Sequence, residues 1–205
     1  MANLPTGIIN NISFGPARVY MSNWTAGSGH SPTVDVGFIG DDGVSLEVGA
    51  EKKNIMQGNP QLINYSFTQT QSVNIIFSSI QWDFDNFKKA LGSGNISAAA
   101  SADVTGAGCF IEYSFGGDPL NEFTAIMIEH QMAVPGNTLW IYGWKCQSES
   151  GFTIPFGQDE HTFEYNFNTL RADTDWGGAA LPENGYLVGM RRHLTSKQKY
   201  DGTAG

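Results

Sequence analysis

Through most of this chain hydrophobic positions recur at every second residue. The period is clear in residues 70–79, where Val73, Ile75 and Phe77 alternate with Ser72, Asn74 and Ser78. Branched and aromatic side chains in that order predict a strand with one buried face. The period then lengthens: Phe84, Phe87 and Leu91 recur at helical spacing, behind Asp83 as N-cap and ahead of Gly92 as a stop. Lys88 and Lys89 stand in the last turn, where cations oppose the negative end of the helix dipole. The spacing predicts one short amphipathic helix over residues 83–91, laid against a sheet that buries its aromatic side.

Alternation predicts the remainder as strands. Residues 15–21 read as a first strand, and residues 33–39 and 44–48 as a hairpin about the Gly-Asp-Asp-Gly turn at 40–43. Residues 49–60 (GAEKKNIMQGNP) are polar and end in turn residues, which reads as a long functional loop. Residues 92–108 are small and polar, a loop or a surface strand. In residues 109–115, Cys109, Ile111, Tyr113 and Phe115 share a face. Residues 123–132 are apolar on both faces, so that strand lies either between layers or at a subunit contact. Trp140, Tyr142, Trp144 and Cys146 share one face of residues 138–147. In residues 162–171, Phe163, Tyr165 and Phe167 face inward while Glu164, Asn166 and Asn168 face outward. Residues 186–193 are weakly strand-like. Roughly eight to ten strands and one helix predict a mainly β fold, an antiparallel β-sandwich or rolled barrel with one flanking α-helix.

Composition sharpens this picture. Charged residues make up only 15% of the 205 and aromatics 12%, which excludes a disordered chain and points to a surface partly covered by partners. The net charge of −9 is uneven: residues 1–190 carry −12 and residues 191–205 carry +3. An acidic body is a poor general nucleic-acid binder. The basic tail suits contact with acidic copies of the same chain, or is a solvated end. No signal-peptide pattern or span of about 20 apolar residues is visible, so synthesis in the cytosol and no membrane partner are expected. Cys109 and Cys146 form no metal-binding pattern and read as buried free thiols.

Candidate chemistry is sparse. The four histidines are scattered, and Glu129 and His130, as strand neighbours, point to opposite faces. No nucleophile elbow, P-loop or dinucleotide fingerprint occurs, so neither enzyme activity nor a cofactor or metal is expected. Asp83 and Asp85 serve the helix N-terminus, and Asp173 with Asp175 reads as an acidic loop or a cation site. The Trp140, Tyr142, Trp144 ladder reads as core packing or as a carbohydrate-stacking platform.

One stretch carries a family likeness. TVDVGFIGDDGVSLEV at residues 33–48 is followed by a segment ending at Gln57-Gly58, then Tyr65-Ser-Phe with a long strand, then WDFDNFKKALGSG. This order resembles the major tail tube proteins of long-tailed bacteriophages. The resemblance covers about a third of the chain; residues 172–205 have no counterpart in it and form a C-terminal extension.

The resemblance implies a single tail-tube-like domain over residues 1–205, with an N-terminal arm at 1–13 and an inter-ring stacking loop at 49–61. It implies a structural virion protein, assembled in the host cytoplasm into hexameric rings that stack into a tube. Tail tape-measure, tail completion and distal tail proteins would be partners, and genomic DNA would pass without specific binding. Lys52, Lys53, Gln57, Arg191 and Arg192 are the expected stacking residues. Glu164, Asn166, Asn168 and then Glu112 are the expected lumen-facing ones, because carboxylates and amides repel or ignore phosphate. The alternatives are a tube protein of a contractile secretion system and a carbohydrate-binding β-sandwich module.

Overall fold

The computed structural model describes residues 13–25, 32–91, 95–98, 111–114, 123–132, 136–149, 151, 161–175, 177–181 and 185–193. Most of the predicted N-terminal arm, His30, Cys109 and the tail beyond His193 lie outside them. The described residues form ten strands and one helix in order: β1 Ser13–Asn23, β2 Val34–Asp35, β3 Ile39–Gln57, β4 Leu62–Ser79, α1 Phe84–Leu91, β5 Asn95–Ala98, β6 Ile111–Ser114, β7 Thr124–Met132, β8 Thr138–Ser148, β9 Phe163–Thr169 and β10 Val188–His193.

Eight strands form one antiparallel sheet in the order β2-β1-β7-β8-β9-β4-β3, with β10 added on β8. β10 pairs along residues 138–143 of β8, and β9 pairs with Cys146, Gln147 and Ser148. The two therefore lie end to end on the same side of β8. The sheet rolls until β1 approaches β3, and the Val36 amide donates to the Val19 carbonyl at 2.9 Å. The inner side of this roll is the main core. Val19, Met21, Ile75, Phe77, Ile126, Cys146, Phe163 and Tyr165 are among the side chains that fill it.

α1 closes one end of the roll. Asp83 Oδ1 accepts from the Asp85 amide at 2.9 Å, the N-cap bond the sequence predicts. Phe87 and Ala90 point inward, and Phe87 meets Phe163 edge-on with ring centroids 4.9 Å apart. A separate ribbon of β5 and β6 lies against the helix, with Phe84 stacked on Tyr113.

A second cluster covers the outer side of the sheet: Met127, Tyr142, Trp144 and Ala172, flanked by Tyr20, Trp140 and Leu181. β7 thus lies between two packed layers, Ile126 and Ile128 inward and Met127 outward, which accounts for its two apolar faces.

Three sequence expectations change. Residues 40–43 are not the tip of a hairpin; they form an irregularity inside β3 between Ile39↔Ser79 and Val44↔Phe77, while residues 34–35 pair with β1. Residues 49–57 are not a loop but the outer half of β3. Cys146 does not share a face with Trp144: the ladder steps from Ile126↔Gly143 to Thr124↔Cys146, so β8 holds one extra residue. That bulge turns Cys146 into the main core. Gly143 precedes it, where a Cβ would stand 2.6 Å from Cys146 Sγ and 2.9 Å from Ile75 Cδ1.

Burial raises the proton affinity of two groups in this core. It pushes the Cys146 thiol and the Tyr165 phenol well above their ordinary values of 9.0 and 10.0, with the Asp83 charge adding to the effect on Tyr165. Both raised values mean that the folded state keeps protons the unfolded chain gives up. Their contribution is complete below pH about 9 and is lost as pH climbs toward the folded values. Urea midpoints should therefore be level from about pH 7 to 8.5 and fall steadily above about pH 9.5; level midpoints up to about pH 11 would contradict this.

Candidate self-association surfaces

β3 and β4 outrun the sheet. β9 pairs with β4 only from Asn74 to Ser79, yet the β3–β4 ladder continues past Val48↔Val73 to Gln57↔Leu62. The turn is residues 58–61, with a cis Asn59–Pro60 bond. The result is a two-stranded arm about 30 Å long, given some 3.3 Å per residue. Every residue from Glu47 to Ser72 is exposed.

Two bulges set the arm's faces. Extra residues at Gln69 and Asn64 shift the register between Glu51/Lys52 and Ile55/Met56. Directly opposed residues share a face, so Lys53 with Phe67 and Ile55 with Tyr65 form one apolar patch. Tyr65 and Phe67 stack there with centroids 6.3 Å apart. Met56 opposes Ile63, and Gln57 opposes Leu62 nearest the turn, where the Asn64 side-chain amide donates to Gln57 Oε1 at 3.2 Å. Tyr65 is 62% exposed.

No Asp, Glu, Lys or Arg occurs between residues 54 and 82. A free ribbon normally carries charge to prevent edge-to-edge pairing. Among the described residues nothing pairs with either edge of this one, which has apolar side chains on its faces and charge only at Glu51, Lys52 and Lys53.

At the base of the arm lies a groove of about 600 Å³ between β10 and the lower parts of β3 and β4. Leu46, Val48 and Val73 line one wall, Val188 and Met190 the other, with Tyr186 at the rim. It opens because β9 ends at Thr169, where β4 has more than half its length still to run.

The expected stacking residues fall on two separate elements. Lys52, Lys53 and Gln57 are on the arm. Arg191 and Arg192 are on β10 beside the groove, and the Arg191 guanidinium sits 5.7 Å from the Tyr142 ring centroid. Lys52 and Lys53, as strand neighbours, point to opposite faces of the arm.

The expected lumen residues also divide. Glu164, Asn166 and Asn168 stand on the outer side of β9, opposite Ser78, Ile76 and Asn74. Glu47 and Ser45 extend that surface on β3, and the Asn166 amide donates to Glu149 Oε2 at 3.2 Å. It is an acidic, amide-rich face, and neither β9 nor the paired part of β4 holds a Lys or Arg. Glu112 belongs to the β5–β6 ribbon, where Ser114 donates to it, and does not join this face.

The aromatic ladder lines a recess of about 670 Å³ together with Leu181, Tyr186 and Arg191, and Trp140 is half-buried there. Tyr142 and Trp144 are 6% and 8% exposed, and the Trp144 indole lies against Gly189, where a Cβ would come within 2.5 Å of it. Glu129 binds the same layer, accepting from the Tyr20 hydroxyl at 3.2 Å and Trp140 Nε1 at 3.4 Å. Asp173 pairs with Arg171 at 3.3 Å, and Asp175 accepts from the Ala179 amide at 2.8 Å. Among the described residues no group of three His, Cys, Asp or Glu side chains converges on a metal position.

The sequence reading misses the arm because neither of its faces is buried, so the alternation that betrays a strand is blurred. One signal is present: apolar pairs Ile55-Met56 and Leu62-Ile63 flank the Gly-Asn-Pro-Gln turn closely on either side, a hairpin signature. No protein-family model matches the sequence, and comparison with curated proteins yields no match.

Proposed function

We propose that this protein is a structural subunit that assembles with copies of itself into stacked rings, forming the tube of a bacteriophage tail. The observation that carries the reading is the arm: a long, exposed, almost uncharged ribbon with apolar side chains on its faces. A feature of this kind is a liability in a lone molecule and an asset in a polymer. Each apolar side chain moved from water into a packed contact contributes about 1–3 kcal/mol, and repetition along a tube multiplies the gain. The acidic face of β9, β4 and β3 suits the wall of a conduit, since carboxylates and amides leave a phosphate backbone free to slide.

The tube of a contractile secretion system would use the same arm and is the nearest rival. A carbohydrate module is favoured less: Trp140, Tyr142 and Trp144 line a recess, but Tyr142 and Trp144 are only 6% and 8% exposed and offer little open ring face to a sugar.

The test is negative-stain microscopy of the concentrated protein, beside a Lys52→Glu/Lys53→Glu variant. Wild type should form hollow rings or tubes, and the variant should stay folded while polymerising poorly against an acidic body. A wild-type monomer that persists at high concentration would overturn the proposal. Tubes of unchanged length from the variant would remove those lysines from the contact.

A further inference from the structure

We infer that the groove between β10 and the arm's base receives the end of the arm of a second copy of this chain. This rests on the self-assembly proposed above and names the surface on which it acts.

Four observations select the occupant. First, both surfaces are apolar and open on the same chain. Met190 is 59% exposed and lines the groove with Val48 and Val73, and among the described lining residues Arg171 alone is charged. Second, their hydrogen-bonding needs match. β10 pairs only with β8, and β4 below Asn74 pairs only with β3, so strand edges border the groove without a ladder partner among the described residues. β3 has an open outer edge along the arm to offer in return. An edge laid in the groove satisfies backbone groups that otherwise wait for water.

Third, the arm's end stands about 30 Å from the groove, at the far end of a continuous ladder, so a copy cannot fill its own site. The contact is heterologous, arm of one copy to groove of the next, and such contacts propagate into rings or filaments. Fourth, covering one face of a ribbon this long buries on the order of 700 Å² on each side, close to a standard specific interface. The Tyr65/Phe67 patch supplies the rigid aromatic anchors that dominate such contacts. Lys53 shares that face, and the groove offers it a carboxylate partner in Asp173, which pairs with Arg171 of the lining at 3.3 Å and keeps its side chain 82% exposed.

The test uses two copies in a Cys109→Ser background, one carrying Tyr65→Cys and the other Met190→Cys. They are mixed under assembly conditions with a short bismaleimide and probed for the 65–190 cross-link by mass spectrometry. Met190→Glu and Tyr186→Lys, both at exposed positions, are assayed beside them by sedimentation velocity. The inference expects a cross-link between differently tagged copies, and at least tenfold weaker self-association for both groove variants. Assemblies that form without the cross-link, and unweakened by either groove variant, overturn the inference while leaving the tube proposal standing. An absence of any assembly in wild type overturns both.

Discussion

A chain in which residues 49–72 are replaced by Asn-Gly, closing a hairpin on the Val48–Val73 pair, is expected to fold as before and to remain a monomer. The excised residues are all exposed and contribute nothing to either core cluster. Ile75 and Phe77 keep their places, because β4 is fixed by β9 from Asn74 onward. A two-residue Asn-Gly turn has the twist that antiparallel strands prefer, and a shorter loop costs less entropy to close. Stability should therefore stay within about 1 kcal/mol of wild type by urea denaturation. Self-association should fall by more than about a hundredfold, since several apolar side chains each worth about 1–3 kcal/mol are removed together. Sedimentation velocity separates the outcomes: a shortened chain that still polymerises would move the contact to another surface.

How much of this can be read from the sequence depends on what each segment touches. β9 is legible because one face is core and the other solvent, so Phe163, Tyr165 and Phe167 alternate cleanly with Glu164, Asn166 and Asn168. α1 is legible because it carries its own punctuation, with Asp83 before it and paired lysines at its end. Cys146 is misplaced by the sequence pattern because a bulge is a change of register that no hydrophobic period announces. The Gly-Asp-Asp-Gly segment looks like a turn, and its irregularity is real, but the chain continues in the same direction through it.

The self-association surfaces are legible only in part. The sequence marks Lys52, Lys53 and Gln57 as members of a loop, whereas the feature that distinguishes the arm is the uncharged stretch beyond them. The groove cannot be seen at all. Its walls come from residues 46–50, 71–73, 171 and 185–190, brought together by where β9 stops. Composition does carry one hint in physical terms: a chain with 15% charged residues has too little charge to cover its own surface.

Two phenylalanines on β4 separate folding from assembly. Phe77 is 1% exposed and stacks on Tyr165 and Phe167 with centroids 5.0 and 6.1 Å away. Truncating it leaves a cavity among rings that cannot collapse, because Tyr165 and Phe167 are held by the β4–β9 ladder on both sides of the gap. Phe77→Ala should cost about 3–5 kcal/mol, a large share of the roughly 5–15 kcal/mol typical of a domain. Phe67 lies ten residues earlier with the same parity, yet the bulge at Gln69 turns it to the other face and it is 39% exposed. Phe67→Ala should change stability by less than about 1 kcal/mol and weaken self-association by about tenfold or more. Urea denaturation and sedimentation velocity on both variants read the two effects apart. If Phe67→Ala unfolds the chain, the arm belongs to the fold; if it leaves both stability and assembly untouched, the arm's aromatic patch is not where copies meet. An assembly defect confined to Phe67→Ala follows only if β4 does two jobs along its length, building the core from Val73 to Ser79 and reaching a neighbour from Leu62 to Ser72.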